Sequence, residues 1–374
     1  MICDVEAKEI EDISVSDTPT QTTFWARVKN DQGFIPNGFH FAVSSDLLTP
    51  IGDNADKKED DLLVLVKYLN NHQCYAYVPY GPEIEPDFEN YGVFLEELSE
   101  VLRSYLPKDC IYIKYDLPWA SQWTGEDEYY DDSGNWHGPP GSTTQELRLN
   151  FKTRHWNLQK SPSDVLPVNT IILNLQYKEK ELLAGMKPKT RYNIGYSFRR
   201  GVKVREYGPG MIDEWYRLYK ETAVRNNLTL HHKDYFKTLF SNNEETDEGV
   251  KVSLLMADYE GVFLAAMILV LSGDRATYLY GASSSERRNL MATYAVQWEA
   301  INMAQSFNCT EYDMFGTAPN GNRSHPMHGL HRYKKGFGGS LFHRMGCWDY
   351  PYLTADYKIL KAQEVNNQSY RLQH

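Results

Sequence analysis

Two stretches of the chain, residues 187–205 and 314–348, carry basic side chains and no acidic ones. Lysines and arginines clustered in this way could hold the phosphates of a polyanion. The formal net charge of −11 argues against a protein that coats nucleic acid without specificity. Solvated basic faces explain the pattern equally well, so both interpretations stay open. The basic residues of the first stretch are Lys187, Lys189, Arg191, Arg199, Arg200, Lys203 and Arg205.

Two carboxylates lie where predicted strands end, at matching places in the two halves of the chain. Asp116 follows a strand predicted over residues 110–115, and Asp313 belongs to the end of a strand predicted over 311–315. Ligands of α/β proteins tend to bind at the carboxyl ends of strands, so both are candidate site residues. Asp313 fits a structural role better, in which it accepts backbone N–H groups from the turn at 316–322.

The elements around these carboxylates repeat one order: strand, strand, polar turn, helix, strand. Strands joined by four or five residues are antiparallel, whereas a strand, helix, strand unit is normally parallel, so mixed sheets are predicted. This combination is typical of the GNAT acyltransferase core. The fold class is therefore predicted as α/β (α+β), with two tandem GNAT-like domains. The predicted segments are 62–69, 74–78, a helix through 94–106 and 110–115, then 262–271, 276–280, a turn at 281–284, a helix over 290–307 and 311–315.

A length of 374 residues suits two domains of roughly 150 to 200 residues each. The order recurs after roughly 190 residues, a period that indicates duplication of a whole domain rather than a solenoid. We predict a first domain over residues 1–164, joined by the tail 350–374, and a second over 165–349. The acidic and Pro-Gly-rich segment 121–150 is predicted to be a lid over a cleft, with a mobile surface insertion as the alternative.

Several classes of protein are excluded by composition. The five cysteines are scattered without C-x-x-C spacing, so neither a disulfide framework nor a zinc site is indicated. There is no apolar run of about 18 residues, and the first 17 residues are acidic, unlike a secretory signal peptide. We expect a cytoplasmic protein with reduced, mostly buried thiols.

The turn before the second-half helix is crowded. Acetyl-CoA-dependent GNAT enzymes bind pyrophosphate on a glycine-rich turn at this place, because backbone N–H groups must approach the phosphates closely. Here Arg287 and Arg288 are followed by Asn289, Leu290, Met291 and Ala292. Coenzyme A binding is therefore disfavoured.

Four segments, in order and spacing, resemble the Fem family of aminoacyl-tRNA-dependent peptidyl transferases, which build peptidoglycan interpeptide bridges. The resemblance covers most of the second half and little of the first. It implies two GNAT-like domains, and the short acidic stretch 241–249 implies the compact form without a coiled-coil arm. The segments are 186–194 leading to Gly201 and Val202, 280–284 with 287–291, 312–316, and Gly329 and Leu330 followed by 333–339.

The reaction implied by the resemblance is attack of a stem-peptide amine on the ester of an aminoacyl-tRNA. The ester is already activated, so no ATP, metal or other cofactor is expected, and the protein must align the reactants and stabilise the oxyanion. The implied partners are aminoacyl-tRNA as donor and lipid II or UDP-MurNAc-pentapeptide as acceptor, with peripheral contact at the inner membrane face. A monomer is expected.

The resemblance also assigns residues. Lys334 would lie beside the ester, and Tyr333 would stack on the terminal nucleotide. Asp116 is the candidate for orienting the attacking amine because of its place at a predicted strand end, and not because of the resemblance. Without the resemblance, Lys334 and Lys335 would simply flank a glycine-rich turn. The assigned substrate-binding residues are Lys29, Thr229, His231, Tyr235 and Tyr280. The candidate tRNA-binding residues come from the two basic stretches and are Lys187, Lys189, Arg191, Arg199, Arg200 and Lys335.

One assigned position departs from the family pattern Thr-x-Arg-x-x-x-Tyr, because His231 stands where the family has arginine. An imidazole cannot clamp a phosphate through two parallel hydrogen bonds. Either His232, Lys233 or another residue supplies the charge, or the acceptor carries a different head group. Three other functions stay open: an acyl-CoA-dependent N-acyltransferase, a non-catalytic precursor-binding protein, and an aminoacyl-tRNA protein transferase.

Overall fold

Residues 2–44, 57–132, 134–244 and 249–371 are described by a computed structural model, in which the chain divides into two units. The first unit comprises Met1–Ser14, Thr20–Val168 and His343–His374, and the second comprises Val15–Pro19 and Asn169–Phe342. The main break, after Val168, lies close to the boundary predicted at residue 164. The return to the first unit begins at His343, a few residues before the predicted tail.

The described strands are β1 Ile2–Lys8, β2 Ile35–Ser44, β3 Lys57–Asn70, β4 Gln73–Val78, β5 Cys110–Ala120, β6 Gln159–Lys160, β7 Asn169–Asn174, β8 Lys203–Tyr207, β9 Val250–Tyr259, β10 Val262–Ser272, β11 Arg275–Ser283, β12 Glu311–Asp313 and β13 Ser340–Pro351. The described helices are α1 Thr23–Asn30, α2 Tyr91–Leu102, α3 Ser142–Leu149, α4 Glu179–Gly185, α5 Pro188–Arg199, α6 Ile212–Asn226, α7 Lys233–Glu244, α8 Ala292–Ser306, α9 His328–Lys334 and α10 Thr354–Arg371.

The first unit is built on a mixed sheet of order β1-β2-β3-β4-β5-β13, with β6 paired to β13. Its one parallel pair among the described strands is β4 with β5, which α2 connects, as a strand, helix, strand unit requires. Phe94, Leu95, Leu98 and Leu102 recur at helical spacing along α2 and are fully buried. This apolar stripe places α2 against the sheet as part of the first core.

The second unit repeats the scheme, with strand order β7-β12-β11-β10-β9-β8. Again the parallel pair, β11 with β12, is joined by a helix, α8, whereas the hairpins β9-β10 and β10-β11 are antiparallel. The small side chains Ala295, Ala300 and Ala304 are fully buried on α8, so this helix approaches its neighbours closely. The predicted α/β class with two GNAT-like mixed sheets is confirmed.

Three boundaries differ from the prediction. Strand β5 continues to Ala120, so Asp116 lies within the strand and not at its end. Strand β11 continues to Ser283 through the predicted turn at 281–284, because its residues pair with β10 as far as Ser283. Strand β12 ends early, at Asp313, where a predicted strand over 311–315 would continue.

The predicted lid, 121–150, is more ordered than a simple loop. It contains α3 and two short 3₁₀ helices, and the Arg148 guanidinium lies 2.5 Å from Glu126 and 4.7 Å from the ring centre of Trp123. These contacts fold the segment on itself. A lid function stays a prediction.

The predicted acidic loop 241–249 overlaps the end of α7 at Glu244, and its residues 245–248 lie outside the described ranges. The next described strand, β9, begins at Val250. The compact form without a coiled-coil arm stays a prediction. Across the described part of the chain, no helix is long and apolar enough to cross a bilayer.

Candidate active site

The last residue of helix α9, in the second unit, is a buried lysine. The Lys334 side chain is only 4% exposed. Its Nζ donates to the backbone oxygen of Phe315 at 3.2 Å and to that of Gly316 at 2.6 Å. The same Nζ lies 5.1 Å from the ring centre of Tyr278, a distance at which a cation is attracted by an aromatic face.

The two carbonyls are available because β12 is short. Asp313, the last residue of β12, accepts hydrogen bonds from the Thr170 hydroxyl and, at 2.7 Å, from the Phe315 N–H. Phe315 itself has φ +57°, an uncommon conformation for a bulky residue, so the chain leaves the sheet sharply. Asp313 therefore has the structural role that was favoured for it, with a backbone N–H supplied by Phe315.

Burial sets the charge of the lysine. Desolvation lowers the pKa of Lys334 from 10.5 to about 7, and the Asp313 carboxylate opposes part of this shift. Near neutral pH the amine therefore exists in both protonation states. The ammonium has three protons, of which the two carbonyls accept two. The third can be offered to an oxygen that develops negative charge.

Tyr333, the neighbour of this lysine, contacts the core of the second unit. Its hydroxyl donates to the backbone oxygen of Thr293 at 2.9 Å, and its ring centre lies 5.1 Å from that of Tyr294 and 5.3 Å from that of Phe337. These contacts hold the ring in place beside Lys334. Stacking of Tyr333 on a nucleotide stays a prediction.

Three of the assigned substrate-binding side chains lie together in the second unit. The hydroxyl oxygens of Tyr235 and Tyr280 are 3.0 Å apart, and the His231 ring centre lies 5.0 Å from that of Tyr235 and 5.7 Å from that of Tyr280. Burial raises the pKa of Tyr235 to about 12, so its hydroxyl keeps its proton at neutral pH. Thr229 is exposed on the segment before α7.

Strand β11 connects this aromatic cluster to the lysine. Tyr278, which faces Lys334, and Tyr280, which contacts Tyr235, are two residues apart on the strand, or about 7 Å at the usual rise. Tyr278 was not among the predicted site residues. The only sequence signal for it is its place two residues before Tyr280.

The remaining assigned substrate-binding residue, Lys29, belongs to the first unit. Its Nζ donates to Gln32 at 2.9 Å and lies 5.0 Å from the ring centre of Trp25 and 5.7 Å from that of Phe34. Burial, and then the nearby Lys67 ammonium, lower the pKa of Lys29 to about 8. Two cations held close together in this way favour an anion. Lys67 was missed because it lies 38 positions away in the sequence.

Asp116 does not form part of an accessible site. It is fully buried within β5 of the first unit, where its Oδ2 accepts hydrogen bonds from the Tyr77 hydroxyl at 3.2 Å and the Leu166 N–H at 2.8 Å. Burial raises its pKa to about 6. Neither oxygen is exposed, so the predicted role in orienting an acceptor amine does not fit this structure.

The candidate tRNA-binding residues separate into two groups. Lys187, Lys189, Arg199 and Arg200 are exposed at the two ends of α5. The Arg191 guanidinium instead donates to the backbone oxygens of Leu183, Ala184 and Met186, and Lys335 Nζ donates to Gly339 at 2.8 Å. Arg191 and Lys335 therefore donate to backbone oxygens of the protein itself.

The crowded entrance of α8 is also visible. Arg287 and Met291 take left-handed backbone conformations, with φ +44° and +57°, at the turn that leads into the helix. The Leu290 side chain is 7% exposed and belongs to the core. A glycine-rich sequence would let a pyrophosphate approach the backbone N–H groups of this turn, and the side chains present here restrict that approach. Within the described ranges, no group of three His, Cys, Asp or Glu residues is arranged to hold a metal ion.

Two staphylococcal proteins are similar to this chain in sequence. The lipid II:glycine glycyltransferase of Staphylococcus saprophyticus is 33% identical over 110 residues, which are 29% of this chain and 26% of that protein. The protein of the same name from Staphylococcus haemolyticus is 20% identical over 274 residues, 57% of this chain and 65% of that protein. Each match spans less than two thirds of the length of the relative. These relatives are transferases.

Two further comparisons concern the whole chain. The structure described as "Crystal structure of FemX" has a TM-score of 0.70 to this one at 16% identity, over 96% of this chain and 100% of that chain, which shows a shared fold. A family model described as the FemAB family matches residues 14–258 and 242–364, which include Lys334 and the aromatic cluster. The resemblance predicted from the four segments is thereby confirmed, and the chain belongs to the FemAB family.

Proposed function

We propose that this chain is an aminoacyltransferase that moves an amino acid from aminoacyl-tRNA to the side-chain amine of the stem peptide of a peptidoglycan precursor. The observation that carries the proposal is Lys334, a buried amine fixed by two backbone carbonyls with one further N–H to offer. The names of the relatives, lipid II:glycine glycyltransferases, support a precursor as the acceptor and an aminoacyl group as the cargo.

The reaction needs few groups from the protein. The neutral acceptor nitrogen attacks the ester carbonyl carbon, and the carbonyl oxygen becomes an oxyanion that the Lys334 ammonium stabilises. The bond from that carbon to the ribose oxygen then breaks. The proton lost by the amine balances the proton gained by the ribose hydroxyl, so nothing else is consumed.

A buried ammonium suits this task better than an exposed one. Its attraction to an oxyanion is screened less inside the protein than in water. The carbonyls of Phe315 and Gly316 keep the amine in place before the reaction, so little reorganisation is required when charge develops. A pKa of about 7 also makes the ammonium a better proton donor to the leaving ribose oxygen than an ordinary lysine.

The acceptor would be held by the cluster of His231, Tyr235 and Tyr280 in the second unit. Lys29, in the first unit, stays a predicted phosphate-binding residue. Phenol hydroxyls and an imidazole can bind sugar or peptide groups by hydrogen bonds and stacking. Because the imidazole replaces an arginine of the family pattern, we expect weaker phosphate binding at His231 than an arginine would give. We place the reaction in the cytoplasm, where charged tRNA occurs, and at the inner membrane face if lipid II is the acceptor.

The test is a transfer assay with purified protein, a mixture of charged tRNAs, and either lipid II or UDP-MurNAc-pentapeptide, read by mass spectrometry. We expect one acceptor to gain the mass of one aminoacyl residue, only when charged tRNA is present. If neither acceptor gains mass with any charged tRNA, while acetyl-CoA is consumed on a peptide amine, the chain is an acyl-CoA enzyme instead. If an acceptor binds but nothing is transferred, the chain is a binding protein.

A further inference from the structure

The exposed side of α5 combines cations with aromatic rings. Tyr192 is 59% exposed, and its ring stacks on that of Tyr196 with centres 5.7 Å apart and planes at 24°. The Arg200 guanidinium lies 5.4 Å from the ring centre of Tyr196. Since residues three or four positions apart share one face of a helix, Tyr192, Tyr196, Arg199 and Arg200 form one continuous strip. We call it the α5 strip.

The C-terminal end of the α5 strip opens into a cavity of about 500 Å³ in the second unit. Arg287 lies 3.1 Å from the Glu260 carboxylate and 5.0 Å from the ring centre of Tyr259. Three guanidinium groups against a single carboxylate leave the cavity wall positive. The cavity is lined by Arg199, Arg200, Tyr259, Glu260, Arg287, Asn289 and Leu290.

The N-terminal end of α5 contacts the segment that follows the reactive lysine. The Lys187 N–H donates to the Gly336 oxygen at 2.9 Å, and a Cβ added to Gly336 would lie 2.4 Å from the Thr190 hydroxyl. The 12 residues of α5 span about 18 Å, which is the rise of roughly five stacked nucleotides. The helix thus connects the surroundings of Lys334 to the positive cavity.

We propose that the α5 strip and the cavity at its end bind the single-stranded 3′ end of the donor tRNA and the phosphates next to it. This rests on the proposed function, in which aminoacyl-tRNA is the donor. Tyr192 and Tyr196 would stack on bases, because aromatic rings bind every base in this way. Arg199, Arg200 and Arg287 would bind phosphates, for which the planar guanidinium is well suited.

The strip fits a nucleic-acid strand better than a small phosphate ligand. A lone pyrophosphate would use the three arginines but would leave the two stacked tyrosines without a function. The proposal also separates cations that the sequence grouped together. Arg191 and Lys335 bind backbone oxygens of the protein and are not part of the strip.

The test measures binding of a fluorescent RNA hairpin that copies a tRNA acceptor arm with its 3′ overhang, by anisotropy at several salt concentrations. The variants are Arg199→Gln with Arg200→Gln, Arg287→Gln alone, and Tyr192→Ala. The matched control is Arg217→Gln, an exposed arginine on α6 that is paired with Glu214 in the same unit. Thermal unfolding of each variant shows whether it is folded.

We expect the double arginine variant to bind about tenfold more weakly than wild type. Its salt dependence should fall by about 1.4 in the slope of log K against log salt. The control should bind like wild type. Trimming the overhang should weaken binding to wild type more than to Tyr192→Ala, because the lost bases stack on that ring.

Three results would overturn the proposal. They are arginine variants that bind the hairpin as tightly as the control does, no effect of trimming the overhang on binding to wild type, and displacement of the hairpin by coenzyme A. The transfer assay distinguishes a wrong location for the tRNA from a wrong proposed function. If wild type transfers from charged tRNA and the arginine variants do so with unchanged donor KM, only the location is wrong; if wild type neither binds the hairpin nor transfers, the proposed function fails as well.

Discussion

Both units contain the order strand, helix, strand, but the last strand of that order differs in length between them. In the first unit the closing strand β5 is 11 residues long and pairs with β13 as far as Ala120. In the second unit the closing strand β12 has only three residues and stops at Asp313. The longer strand uses its backbone groups in the ladder, whereas the shorter one leaves the oxygens of Phe315 and Gly316 to Lys334.

Each unit also buries an ionisable group near this strand, with opposite chemical consequences. Asp116 is buried in β5, and its pKa rises to about 6. Lys334 is buried beside the end of β12, and its pKa falls to about 7. Only the second arrangement offers an N–H group to a developing oxyanion. An early strand end, and not burial of a charge alone, therefore makes the candidate active site.

The largest effect on the rate of transfer is expected when Lys334 is replaced. Lys334→Met should lower the rate of transfer by about 100- to 1000-fold, the usual cost of removing one oxyanion-stabilising donor. Single-turnover transfer from charged tRNA measures it. The matched control is Lys220→Met, an exposed lysine on α6, which should keep wild-type activity. A Lys334→Met protein that is folded and fully active would remove the lysine from the mechanism.

The dependence of kcat/KM on pH should also show the role of Lys334. The reactive form is the ammonium, which is present below the folded pKa of about 7 and is lost as pH rises through it. Over the same range, the neutral fraction of the acceptor amine increases tenfold per pH unit. For wild type, kcat/KM should therefore rise up to about pH 7 and become level above it.

In Lys334→Met the residual kcat/KM should continue to rise above pH 7, because no ammonium is lost. At pH 8.5 the ratio of variant to wild type should be about 30 times its value below pH 7. Initial rates between pH 6 and 8.5 provide the measurement. Parallel profiles for the two proteins would show that the level region has another origin.

A substitution beside the lysine should have a smaller effect. A Cβ at Gly281 would lie 1.7 Å from the Tyr278 hydroxyl oxygen, so Gly281→Ala must displace the ring that faces Lys334. We expect a loss of about 1–3 kcal/mol in the free energy of unfolding and about tenfold in transfer rate. Urea denaturation and single-turnover kinetics measure the two effects.

Gly210→Ala is the matched control, because a Cβ at Gly210 meets no atom within 4 Å in the same unit. It should be close to wild type in both measurements. Equal effects of the two substitutions would mean that the position of Tyr278 does not matter.

The smallest effect on activity is expected in the first unit. Asp116→Asn should transfer at the wild-type rate within about twofold, because the carboxyl is fully buried. Its effect should be on stability. The folded pKa of about 6 lies above the unfolded value of 3.8, so the wild-type fold loses roughly 3 kcal/mol as pH rises from 4 to 6.

Asp116→Asn should lack that part of the pH dependence. Urea denaturation at pH 4.5, 5.5, 6.5 and 7.5 measures the difference between the two proteins. A large loss of transfer with an unchanged slope would return Asp116 to the catalytic residues and would contradict the contrast between the units.

Much of this architecture was predictable because it depends on local patterns. The apolar spacing along α2 and the order of strands around α8 are visible in the sequence, and they identify two mixed sheets. The strand ends were not predictable. Met314 and Phe315 are suited to a strand, and nothing local signals the left-handed turn at Phe315; conversely, Pro118 looks like a strand end although β5 continues past it.

The candidate site was predictable only in part, for a related reason. Lys334 and the cluster around Tyr235 came from the family resemblance, and the structure brings the members of that cluster together. Two cations of the basic stretches, Arg191 and Lys335, bind carbonyl oxygens of the protein, which the sequence did not indicate. Tyr278 and Lys67 were missed because their partners are distant in sequence, and only the fold shows such contacts.

The early end of β12 leaves Lys334 as a buried amine that changes charge near neutral pH. The most direct test is an NMR titration of Lys334 in protein with isotope-labelled lysine side chains, assigned by the signal absent from Lys334→Met. We expect a titration midpoint near pH 7. A midpoint at the ordinary lysine value of 10.5 or above would contradict it.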